Sequence, residues 1–118
     1  MSYDVYLTDP VSGETLNVDV AHQLRGGTYA MGGTSEAWLN ITYNYGEHFR
    51  SVLGDDGIRW LYGKTAVDTI QNLQEAADAL KNDASEDYWE ATEGNAKRAL
   101  LSLIALAKML PHGVWKGD

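Results

Sequence analysis

The chain contains no cysteine. A disulfide scaffold, an iron–sulfur centre and thiol catalysis are therefore excluded. Basic residues are scarce. Nine Lys and Arg stand against 17 Asp and Glu, for a formal net charge of -8 at pH 7. A balance of that sign argues against gripping the phosphates of long nucleic acid or an anionic membrane surface. Long apolar runs are missing as well. The longest, Ala99 to Leu110, is broken by Ser102 and Lys108. It falls short of the roughly 20 apolar residues that a bilayer requires. The opening MSYDVYLTDP has no basic start followed by an apolar run, so no signal peptide is expected. His22, His48 and His112 form no His-x-x-x-His pair, and Asp55-Asp56 lacks the alternating oxygen ligands of a calcium loop. No metal or cofactor is expected. None of the serines stands in a Gly-x-Ser-x-Gly context.

What is present suits one small domain. The chain has 118 residues, 44% of them hydrophobic, enough for a single core and too short for two. The expected division is 1–44 mainly β, 45–110 mainly α and 111–118 a tail. Tyr3, Val5 and Leu7 alternate with Asp4, Tyr6 and Thr8, which is the period of a half-buried strand. Asp9-Pro10-Val11-Ser12-Gly13 has turn chemistry. Leu16, Val18 and Val20 then alternate with polar neighbours, predicting an N-terminal hairpin. A further strand is predicted over Ala37 to Tyr43, with Ala37, Leu39, Ile41 and Tyr43 on one face.

Helical spacing follows from Tyr45 to Leu53, ending at Gly54. Thr65 and Asp68 have the spacing of a capping box. Ala66, Ile70, Leu73, Ala77 and Leu80 extend it as an amphipathic helix over 66–81. Thr92 caps a last helix over 93–110 that is apolar nearly all round, buried in the domain or in a homo-oligomer. Trp115 is expected to pin the tail onto the domain. Strands precede helices, so the expected class is α+β: a small antiparallel sheet, made of the hairpin plus a third strand, covered by two to three C-terminal helices.

Four groups of residues could carry chemistry. Gly63-Lys64-Thr65 stands at a helix start, but a phosphate loop needs its first glycine at 58, where this chain has Ile58. The segment around His22, Arg25, Thr28 and Tyr29 contains two Gly-Gly-Thr repeats. Its glycines can direct backbone N–H groups into an anion-binding concavity, with Arg25 as a bidentate donor. Glycines of this kind commonly serve as tight turns between strands. Asn40, Thr42 and Asn44, with His48 four residues on, make a hydrogen-bonding set for a small polar ligand, or the solvated side of a strand. Asn95 and Arg98 form a second patch, where Gly94 permits close approach of a ligand or another backbone. Asp83, Glu86, Asp87, Glu90 and Glu93 either solvate a connection or face a basic partner.

Ala21-His22-Gln23, the run Gly26 to Thr34, and Ala37 to Tyr45 together form a pattern that continues in Tyr88 to Lys97 and in Gly113 to Asp118. In that pattern the chain resembles a group of short bacteriophage- and prophage-encoded accessory proteins. The resemblance implies a phage context in the cytosol of a bacterial host rather than a reaction. Small phage accessory proteins include inhibitors of bacterial immune systems. The resulting expectation is a non-enzymatic binding protein that engages a host defence protein or sequesters a small anionic, nucleotide-like signal. Its contact residues would be His22, Arg25, Thr28, Tyr29, Asn40, Thr42, Asn44, His48, Asn95 and Arg98. One alternative is a small enzyme acting on a nucleotide-like substrate, with His48 as general base and Arg25 or Arg98 holding the anion. Another is a virion structural or assembly protein.

Overall fold

A computed structural model describes residues 1–25, 33–87 and 89–118. The part of the expected glycine concavity or tight turns that holds Thr28 and Tyr29 lies outside the described residues, as does Tyr88. Five strands run in the order β1 (Ser2–Thr8), β2 (Asn17–His22), β3 (Thr34–Glu36), β4 (Trp38–Thr42) and β5 (Val114–Gly117). Three α-helices lie between the last two: α1 (Gly46–Leu53), α2 (Ala66–Asp78) and α3 (Glu93–Met109). Short 3-10 helices occupy Tyr43–Tyr45 and Gly57–Leu61, so the apolar stretch after Gly57 is a tight helical segment.

The fold is α+β, with β4-β1-β5 as one antiparallel sheet and β2-β3 as a two-stranded ribbon. Period-two alternation explains the main sheet. Tyr3, Val5 and Leu7 of β1 face inward, opposite Ile41, Leu39 and Trp115. The helices pack on that apolar face. Leu73, Ala76 and Ala77 of α2 and Ala99, Leu100, Leu103 and Ile104 of α3 are buried against each other and the sheet.

The N-terminal hairpin forms only at its turn. Asp9 N–H donates to Glu14 O and Thr8 bridges Thr15. At Leu7 three backbones meet in a ring. Leu7 N–H donates to Ala37 O, Ala37 N–H to Leu16 O, and Leu16 N–H to Leu7 O, at 2.8–2.9 Å. Beyond that ring β4 takes the edge of β1, and β2 leaves to pair with β3. The alternating valines of β2 are therefore not a core face, and Val20 is 78% exposed.

The tail differs from expectation too. Val114–Gly117 is the third strand of the main sheet, with Trp115 fully buried. It also replaces the expected capping box. The Thr65 side chain makes no cap bond. Instead Ala66 N–H donates to Gly113 O and Val67 N–H to Pro111 O. Gly63 N–H donates to Trp115 O. The orphan donors at the start of α2 thus meet carbonyls of the returning chain. Helix α2 ends at Asp78 and α3 at Met109, slightly inside the predicted limits. Thr92 caps α3 as its position predicts, accepting from Asn95 N–H at 3.0 Å. The apolar outer positions Leu101 and Met109 of α3 are exposed.

Candidate functional site

The connection between α2 and α3 has no regular secondary structure among its described residues, yet side chains from two helix starts hold it. Ordering such a segment costs roughly 1–2 kcal/mol per residue in backbone entropy. Local turns contribute first: Ser85 Oγ accepts from Asp87 N–H, and Asp87 Oδ1 accepts from Trp89 N–H. Asn95, in the first turn of α3, contributes most. Its Oδ1 accepts from Ser85 N–H at 3.0 Å and from Arg98 Nη2 at 2.9 Å. Its Nδ2 donates to Asp87 O at 3.1 Å and Glu90 O at 2.9 Å. All four bonds of the amide are made, and the residue is 2% exposed. Arg98 Nη2 also donates to Ser85 O.

Gly94 explains why a poor helix former stands in the first turn. A Cβ there would come within 2.7 Å of the Asp83 carbonyl carbon and closer still to Ala84 N. The Gly94 N–H donates to Asp83 Oδ1 at 2.9 Å. Glycine therefore admits another backbone.

The opposite side of the segment is held from the start of α1. Asn44 Nδ2 donates to Trp89 O at 2.7 Å, and His48 Nε2 lies 2.8 Å from Ala91 O. A carbonyl only accepts, so Nε2 carries the hydrogen. That nitrogen is engaged in a structural bond and is not open to act as a base. Four of the predicted contact residues, Asn44, His48, Asn95 and Arg98, thus converge on one segment, and each acts on its backbone.

The other candidates lie elsewhere. Asn40 bridges its ladder partner, donating to Asp4 Oδ1 and Ser2 Oγ. Thr42 is buried and caps the following 3-10 turn through Asn44 N–H. His22 fastens the ribbon: Nε2 donates to Glu36 O at 2.6 Å and Nδ1 accepts from Leu24 N–H. Arg25 is exposed, and its carbonyl accepts from Ser102 Oγ, one turn beyond Arg98 on α3.

Sequence reading missed four features. Trp89 is 49% exposed on the clamped segment, flanked by the exposed carboxylates Glu86, Asp87 and Glu90. Aromatics just before a helix cap commonly pack inward as a staple, whereas this one stays half exposed. Arg59 stacks on Tyr3 and Tyr43, 5.0 and 5.9 Å from the ring centroids, and its Nε donates to Asp118 O. Trp60 lines a cleft with α2. Tyr62 packs on Gly117 with its hydroxyl covered. Burial, and then the negative charge of Asp118, raise its pKa above the usual tyrosine value.

Among the described residues no group of three or more His, Asp or Glu could hold a metal ion. No helix among them is long and apolar enough to cross a membrane. The chain matches no protein-family model, no curated protein and no solved structure.

Proposed function

We propose that this chain is a non-enzymatic accessory binding protein of the phage type, acting in the bacterial cytosol, which inhibits a host defence protein by docking on it. The clamped residues 83–87 and 89–92 are its contact surface, and the partner presents a basic face. One observation carries this reading: an irregular segment held in a fixed shape by Asn44, His48, Asn95 and Arg98 displays a half-exposed tryptophan among carboxylates. A segment ordered before binding loses little further entropy on association. Tryptophan is the residue type most enriched among those that dominate binding energy. Its ring face attracts Lys or Arg, and the surrounding carboxylates accelerate encounter with a cationic surface.

Native mass spectrometry of the chain expressed in a bacterial host tests the reading. The expected result is a stoichiometric complex with one basic protein. Substituting Trp89→Ala together with Glu86→Gln and Glu90→Gln should abolish it while the chain remains folded by circular dichroism. A complex that survives these substitutions, or a chain that carries only a small molecule, overturns the proposal.

A further inference from the structure

A cavity of about 340 Å³ opens between the end of α1 and one face of α2, and none of its lining residues belongs to the clamped segment. Its apolar part is Val52, Leu53, Trp60, Ala76 and Ala79. Its polar part is Ser51, Asn72 and Glu75. Asn72 and Glu75 stand three apart on α2 and so share a helix face. The volume lies at the small end of ligand pockets, which run roughly from 300 to 1,000 Å³.

The polar groups are rich in acceptors. Glu75 contributes a carboxylate, of which only Oε1 receives a bond, from Gln71 Nε2 at a long 3.3 Å. Ser51 already donates its hydroxyl hydrogen to His48 O at 2.8 Å, so it presents lone pairs. Asn72 adds an amide oxygen. No Lys, Arg or His lines the cavity. The indole already attracts a cation within the chain: Lys64 Nζ lies 4.4 Å from the Trp60 ring centroid and donates to Trp60 O.

We infer that this cleft binds a small planar ligand carrying paired N–H donors on an apolar body, the amidine or guanidinium class. A carboxylate grips such a group through two parallel bonds. An indole stacks on its plane. The cleft thereby offers one wall for the body of the ligand and one residue, Glu75, for its head. The site is independent of the docking surface proposed above, so either can fail without the other.

Benzamidine is a suitable probe, because benzamide has the same shape without the charge. The chain is titrated with each and followed by NMR at the Trp60 indole N–H, the Asn72 side-chain amide and the backbone of α2. Benzamidine should give saturable shifts at these positions at millimolar concentration or below. Benzamide should bind about tenfold more weakly, as should benzamidine to Glu75→Gln, through loss of the charge-assisted pair. Glu75 is exposed, so the variant retains the fold. Glu14→Gln, which removes an exposed carboxylate outside both the cleft and the docking surface, should leave binding unchanged. No saturable shift at about 10 mM, equal binding of benzamide, or equal weakening by the Glu75 and Glu14 variants overturns the inference.

Discussion

The first turn of α3 is built around the approach of Gly94 to the backbone of Ala84, where a Cβ would collide. In an unconstrained helix Gly→Ala gains about 1 kcal/mol. Here Gly94→Ala must displace the 83–84 backbone and disturb the bond from Gly94 N–H to Asp83. The expected result is a net loss of about 1–3 kcal/mol in denaturant unfolding. Tryptic cleavage after Lys81 should also become faster. A stabilised variant would show that the two backbones are not packed as described.

Asn44 and His48 hold one segment through two neighbouring carbonyl contacts, so their effects should be coupled. Asn44→Ala and His48→Ala should each cost about 0.5–1.5 kcal/mol. The double variant should cost less than their sum, because a released segment cannot be released twice. Amide exchange across 83–92 should rise in every case. His48→Gln keeps an N–H donor near the position of Nε2 and should restore most of the protection. Equal exchange in His48→Gln and His48→Ala would show that this donor does not hold the segment.

The elements legible in the sequence are those whose signal is local. Alternation in β1 and β4, and the three-and-four spacing of α2 and α3, survive intact. The Leu7, Leu16 and Ala37 ring does not show in any pattern, because three backbone amides choosing partners leave side chains unmarked. The same holds for β5. Its four residues are too few to alternate convincingly, and two glycines flank or end it. Asn44, His48, Asn95 and Arg98 stand out in the sequence as polar groups with work to do. Their targets are backbone carbonyls and amides of an irregular segment, which no residue type advertises.

Thr69 and Trp115 join α2 to β5 through a buried side-chain hydrogen bond. Trp115 Nε1 donates to Thr69 Oγ1 at 3.0 Å, and that hydroxyl donates to Ala66 O at 2.7 Å. Thr69→Val preserves shape but leaves the buried indole N–H without a partner. It should destabilise by about 1–3 kcal/mol, measured by denaturant unfolding. Thr69→Ser keeps the hydroxyl and should lose much less. An equal loss in both would assign the effect to the missing methyl group rather than to the bond.

The hydroxyl of Tyr62 is, among the described residues, the buried side-chain polar atom with no hydrogen-bond partner. Removing it should help. Tyr62→Phe retains the ring packed on Gly117 and should gain about 0.5–1.5 kcal/mol near neutral pH, because no buried hydroxyl is left unsatisfied. The pH dependence has a definite sign. Burial raises the folded-state pKa above the ordinary value of 10.0, so the folded state holds this proton more tightly than the unfolded chain does. Wild-type stability should therefore be level with respect to this group below pH 10 and fall as pH rises above it. In Tyr62→Phe that contribution to the alkaline fall should be absent. Unfolding in urea at a series of pH values from neutral to alkaline separates the two effects. A variant less stable than wild type at neutral pH would mean that the hydroxyl has a partner in solution.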